Sequence, residues 1–316
     1  MYQLRRPAAW SLIFAVVGMA AILGGCQKKT EDKPTVALIM KSLANEFFKT
    51  MEDGAKAHHA QHEAEYDLQT RGIKNETDVT QQIEYVELMM AQGVDAIVIA
   101  PADSKALVAV CKKAMDAGII VVNIDNKFDA DVLRDKGVKI PFVGPDNREG
   151  AKLAGTYLAV RLNPGDKVAI IEGAPNAYNG IQRKQGFEEA MIASSMDIVD
   201  SQTGFWEANK AELIASAQIN KHADLKAILC ANDSMAIGAV AALGNAGKLK
   251  AIHVIGFDNI AAAQQLLKEG KILCTVDQHA DQLASYGIQY ALDMLGGKAP
   301  TADKETPVDL ITAETL

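Results

Sequence analysis

The sequence predicts an α/β protein of two similar lobes, each built on a parallel sheet, and three observations lead there. From Val36 onward, short apolar runs alternate with amphipathic stretches, the pattern of repeated βαβ units whose parallel sheet is covered on both faces. Three of those runs end in polar side chains, at Asn232-Asp233, at Asp258 and at Asp125. Open α/β sheets bind ligands at the carboxyl ends of their strands, so such residues can face a bound molecule, although Asn or Asp between a strand and a helix also serves as an N-cap. Finally, 316 residues are too many for one small core and comfortable for two α/β domains.

Before the first strand stands a targeting segment. Arg5 and Arg6 form a positive n-region and Ala8 to Ile22 an apolar stretch too short for an ordinary spanning helix. Leu23-Gly24-Gly25-Cys26 then resembles a lipobox; the other reading is a plain secretory signal with an incidental cysteine. The expected organisation is a lipoprotein signal peptide over 1–25, lipid modification of Cys26 and a polar tether over 26–34. The mature protein is expected to be exported, periplasmic or at the cell surface, and membrane-anchored.

In the first half, strands are predicted at Val36 to Met40, Tyr66 to Thr70, Ala96 to Ala100 and Ile119 to Ile124. Helices fall between them at Glu46 to Gln61, Asp78 to Gln92 and Ser104 to Ala117. Val79, Ile83, Val86 and Met90 give the second helix one apolar face, and Gly93 ends it. The second half repeats the scheme. Strands are predicted at Lys167 to Ile171, Asp197 to Ser201, Ala227 to Cys230, Ile252 to Gly256 and Ile272 to Val276. The helices are Arg148 to Leu162, Gly180 to Ala193, Glu207 to Asn220, Asp233 to Ala246 and Ile260 to Glu269. A weak internal echo pairs Ala96 to Ser104 with Ala227 to Ser234, each a strand followed by an Asp-Ser loop.

Composition narrows the function. A net charge of -8 argues against a nucleic-acid partner, and 49% hydrophobic residues indicate a globular chain. Beyond Cys26 the cysteines are Cys111, Cys230 and Cys274. In the expected sheet order one strand separates the last two, about 10 Å at two ladder spacings, so buried free thiols are expected rather than a disulfide.

The strand-end acids Asp125 and Asp258 could act as a catalytic pair, as metal ligands or as acceptors for vicinal hydroxyls. Acceptance asks least, since it needs only ionised oxygens aimed at one point. Phe47 and Phe48, beside the first helix start, suit either core packing or the apolar face of a sugar ring, and Trp206 could form the opposite wall. No Walker loop, dinucleotide fingerprint, H-E-x-x-H or C-x-x-C is present. His58 and His62 have helical i, i+4 spacing, but with His59, Gln61 and Glu63 around them a solvated face is the simpler reading. No cofactor or metal is expected.

In order along the chain, Asn45-Glu46-Phe47-Phe48, Asp125, Arg183-Lys-Gln-Gly186-Phe187, Trp206, Asn232-Asp233, Gly256-Phe-Asp258 and Gln278 resemble the ligand-contacting motifs of the periplasmic sugar-binding proteins of the ribose-binding family. The resemblance runs from Val36 to the end. It implies a type I periplasmic binding protein fold: two doubly wound lobes of strand order 2-1-3-4-5 joined by a three-crossover hinge, near Pro145, Gln278 and Asp309. The N-terminal lobe would hold 35–145 plus 279–309, and the C-terminal lobe 146–278 plus 310–316. The implied ligand-binding set is Lys41, Asn45, Phe47, Phe48, Asp125, Asn126, Arg183, Trp206, Asn232, Asp258 and Gln278, with no catalytic residue. Lys41, Asn123-Ile-Asp125 and the longer loop from Asn126 to Phe142 are similar to the allose-binding members, whereas ribose binders carry Asp-Arg at Asp125-Asn126. Glu46 stands where the family's usual Pro would be. The resemblance implies a non-enzymatic monomer that delivers a neutral monosaccharide to the transmembrane subunits of an ABC permease. The other readings are a receptor for a polyol, inositol or another sugar serving uptake or a chemoreceptor, and a lipid-anchored sugar-processing enzyme.

Overall fold

A computed structural model describes residues 33–298 and 302–316 of the chain. The signal peptide, Cys26 and most of the tether lie outside the described residues. None of the described helices is long and apolar enough to cross a membrane.

In chain order the elements are β1 (Thr35–Met40), α1 (Glu46–Gln61), β2 (Asp67–Gly72), α2 (Val79–Ala91), β3 (Ala96–Ile99), α3 (Val108–Asp116), β4 (Ile120–Ile124), α4 (Ala130–Asp135) and β5 (Phe142–Pro145). They continue as α5 (Asn147–Ala159), β6 (Lys167–Glu172), α6 (Tyr178–Ala193), β7 (Asp197–Thr203), α7 (Ala208–Lys221), β8 (Leu225–Cys230), α8 (Asp233–Asn245), β9 (His253–Ile255) and α9 (Ala261–Lys268). Last come β10 (Thr275–Asp277), α10 (Ala280–Leu295), β11 (Lys304–Thr306) and β12 (Asp309–Ile311).

Strand β1 shows why the apolar runs are continuous rather than alternating. Val36, Leu38 and Met40 join one core while Ala37 and Ile39 join another on the opposite face of the sheet. Successive strand side chains point to opposite faces, so a sheet covered twice needs an apolar residue at every position. The helices begin and end on local signals: the Asp78 side chain accepts from Gln81 N at the start of α2, and Gly93, at φ +69°, follows its end.

The N-terminal sheet has the parallel order β2-β1-β3-β4-β5-β11. The second sheet runs β7-β6-β8-β9, and an Ile255–Cys274 bridge carries it toward β10. The chain changes lobes three times. After β5 it enters α5, which packs on α6; after β10 it enters α10, which packs on α1, β3 and β4. Finally it passes from β11, parallel to β5, to β12, antiparallel to β10. At the α5–α6 crossing, a Cβ on Gly186 would stand 2.2 Å from the Arg148 carbonyl oxygen, so only glycine permits that approach.

The structure refines several expectations. The predicted loop from Asn126 to Phe142 contains α4, capped by Asp129, and ends at β5. Helix α3 starts at Val108, because Asp103 first turns the chain by accepting from Lys105 N and Ala106 N. Cys111, Cys230 and Cys274 are buried free thiols, and burial pushes the Cys111 thiol up to about 12.

Candidate functional site

The carboxyl ends of the two sheets face each other across a cavity of about 230 Å³. Lys41, Asn45, Phe47, Phe48, Glu76 and Asp125 line it from the first lobe. Asn179, Arg183, Trp206, Asn232, Asp258 and Gln278 line the other side.

Local geometry places each side chain. Lys41 directly follows β1 and is buried, its Nζ 3.5 Å from Asp125 Oδ2 and within 5.4 Å of the Phe48 and Trp206 ring centroids. Asn45 caps α1 by accepting from Phe47 N, and its Nδ2 donates to Glu76 Oε1 at 3.0 Å. Phe47 and Phe48 meet edge to face, 5.0 Å between centroids. Asp125 follows β4 at φ +60°, and Phe205, Trp206, Asp258 and Asn259 also have positive φ. Such backbone costs about 1–3 kcal/mol per residue and collects at ligand sites. Surrounding bonds fix it: Asp258 N donates to Val276 O and Asn259 N to Thr275 Oγ1.

Arg183 is the most tightly held cation of the cavity. Its Nε donates to Asn147 Oδ1 (2.8 Å), its Nη1 to Ala231 O (2.9 Å) and to Asp258 Oδ1 (3.2 Å), and its guanidinium lies 3.7 Å from the Phe257 ring centroid. Gln278 Nε2 donates to the same Asp258 oxygen at 2.8 Å. Burial pushes the Asp258 carboxyl well above its ordinary range, against the pull of Arg183, and lowers Arg183 from its own. Burial likewise raises Glu76 to about 7, opposed by Lys41 and by the Asn45 hydrogen bond. The Trp206 indole lies over Gly173, where a Cβ would come within 2.0 Å of the ring.

Three buried acceptors on the cavity wall have no hydrogen-bond partner: Asp125 Oδ2, Asn179 Oδ1 and Gln278 Oε1. An acceptor left unmatched in a buried position costs about 1–3 kcal/mol. A molecule carrying several O–H donors would satisfy all three, with Lys41 and Arg183 available to its oxygen atoms.

Ten of the eleven residues in the ligand set predicted from sequence line this cavity, and Asn126 does not. Its amide is engaged elsewhere, Nδ2 donating to Pro101 O while Oδ1 accepts from Ser104 Oγ and Asn179 N. Asp233 also turns away, accepting from Thr275 Oγ1 and Ile260 N, so that of the Asn-Asp pair only Asn232 reaches the cavity while also capping α8. Glu76 and Asn179 escaped the sequence reading. They lie in the loop after β2 and at the start of α6, beyond two more strand ends to which the same rule applies. The histidines are half-buried beside exposed Gln61 and Glu63, and they also make local bonds: His58 to the Tyr66 hydroxyl, His59 to the Tyr66 carbonyl, with His58 stacked on His62. Among the described residues no group of three or more His, Cys, Asp or Glu side chains could hold a metal ion.

Residues 36–299 match the periplasmic binding protein domain family. A D-ribose/D-allose-binding protein of Pseudomonas aeruginosa is 53% identical over 318 residues, covering 98% of this chain and 100% of that protein. A solved ABC-transporter solute-binding protein of Burkholderia multivorans, with an unknown ligand built as alpha-D-erythrofuranose, superposes with TM-score 0.87 at 54% identity, covering 89% of this chain and 99% of the other. Another from Actinobacillus succinogenes, with bound D-allose, gives TM-score 0.85 at 34% identity over 90% and 99% of the two chains.

Proposed function

The chain belongs to the periplasmic binding protein family, and from that premise we propose that it captures a neutral monosaccharide of the ribose or allose kind between its lobes and hands it to an ABC importer. The observation that carries the reading is the trio of buried acceptors without a hydrogen-bond partner, at Asp125, Asn179 and Gln278. A hydroxyl can donate to each of them; a phosphate or carboxylate oxygen that has lost its proton cannot. Charge points the same way. Lys41 and Arg183 face Asp125 and Asp258, and the raised Glu76 adds little negative charge below neutral pH. The aromatic walls of Phe47, Phe48 and Trp206 suit the C–H faces of a pyranose. The names of its relatives support allose and ribose as first candidates, and the segment ending in Cys26 supports export as a membrane-anchored lipoprotein. Binding without turnover is expected.

Titration calorimetry of the mature protein with D-allose, D-ribose, myo-inositol and their phosphates tests this. The expected result is one-to-one binding of a neutral sugar, recovered unchanged. A ligand at 100 times its dissociation constant should also stabilise the fold by about 2.7 kcal/mol. Preference for the phosphates over every neutral compound, or turnover of any sugar, overturns the proposal.

A further inference from the structure

We propose that closure of the two lobes is secured by N-lobe side chains that cap two C-lobe helices across the cleft, Glu46 on α9 and Ser104 with Asn126 on α6. The first amides of a helix have no partner within it and need an acceptor from elsewhere. Helices α1, α2, α4, α5 and α8 find it in their own Asn45, Asp78, Asp129, Asp146 and Asn232. The corresponding residues of α6 and α9 are Ala177 and Ile260, whose side chains accept nothing.

Their acceptors come from the opposite lobe. Ala261 N donates to Glu46 Oε1 at 2.9 Å and Ala262 N to Glu46 Oε2 at 3.4 Å, which also sets a carboxylate at the positive end of the α9 dipole. At α6, Tyr178 N donates to Ser104 Oγ (2.9 Å) and Asn179 N to Asn126 Oδ1 (3.1 Å). Two flanking bonds bracket that junction, Ser104 N to Asn176 O and Asn176 Nδ2 to Asp103 Oδ2. Helices α3, α7 and α10 also lack side-chain caps, yet among the described residues no side chain of the other lobe bonds their first amides. The arrangement gives Glu46 and Asn126 a role outside the cavity wall, which neither lines.

Opening the cleft would exchange these acceptors for water, so the caps favour the closed form without touching the ligand. They are positioning residues: they slow release and, by raising the closed fraction, tighten apparent affinity. This rests on capture between the lobes as proposed above, and the neutral sugar identified by calorimetry serves as the probe. Removing a capping acceptor as in Glu46→Ala or Ser104→Ala should speed release about fivefold with little change in association rate. Glu46→Gln, which keeps one acceptor oxygen, should fall between Glu46→Ala and the wild type. Ligand-free scattering adds a readout that needs no sugar, so failure to find a sugar leaves the inference testable. Faster release, or a larger ligand-free radius of gyration, with an unchanged unfolding midpoint supports the caps. Wild-type release rate and radius in both Ala variants overturn them.

Discussion

Each lobe brings a cation–carboxylate pair to the cavity, and the two pairs are held differently. In the C-lobe, Arg183 and Asp258 are joined to each other, to Asn147, Ala231 and Gln278 by hydrogen bonds, and to Phe257 by stacking. In the N-lobe, Lys41 stands 3.5 Å from an Asp125 oxygen that has no hydrogen-bond partner. The C-lobe pair is wired before any ligand arrives, while the N-lobe pair keeps capacity in reserve for it, as Asn179 Oδ1 and Gln278 Oε1 do beside the wired pair. Preorganisation lowers the ordering cost of binding, and unmatched acceptors supply selectivity because only a suitable donor relieves them.

The contrast can be broken by mutation. Arg183→Ala should have the largest effect, because it strands Asp258 in a buried position and removes three hydrogen bonds. Breaking a buried pair on one side costs about 3–5 kcal/mol, so the urea midpoint should drop and sugar binding disappear. Asp125→Ala should lower the midpoint less, because its 3.5 Å contact with buried Lys41 is not a hydrogen bond, and weaken binding by about 2 kcal/mol, near thirtyfold by calorimetry. Equal losses of stability in the two variants would refute the distinction between a wired and an unwired pair.

A third effect concerns pH. Glu76 titrates near 7 in the folded chain against an ordinary value of 4.5. Between those values the folded state holds a proton that the unfolded state has released, so stability falls as pH rises from about 4.5 to 7. At about 1.36 kcal/mol per pH unit over that range, the contribution is at most about 3 kcal/mol. Asp233, raised by burial to about 6, acts in the same direction. Urea titrations at pH 5 and 7 should show a shallower decline in Glu76→Gln than in the wild type.

Periodicity disclosed most of the architecture because sheets covered on both faces leave unbroken apolar runs. It failed where partners, not pattern, define an element. Strand β5 is Phe-Val-Gly-Pro and aligns only two of its residues with β4; β11 is Lys-Glu-Thr, short and wholly polar. The site was legible at positions such as Asp125 and Asp258, where a polar residue terminates a run. Glu76 and Asn179 sit in polar surroundings that look like any loop, and their burial appears only when two distant strand ends converge. Asn126 misled for the opposite reason: its neighbour Asp125 faces the cavity, and one residue of chain turns the next side chain toward α6.

The last crossover bears on how the chain comes to be finished. Strands β11 and β12 are separated by two residues, yet one completes the edge of the first sheet and the other pairs with β10 in the second lobe. Helix α10, only a few residues earlier, covers β3 and β4 and packs on α1. During synthesis at about 5–20 residues per second, the N-terminal lobe therefore waits for α10 and β11, and its first strands spend many seconds without their covering helix. Such distant contacts make folding slow as well as late. For a chain proposed to leave the cytoplasm, this delay is an interval in which it can still be threaded through a membrane.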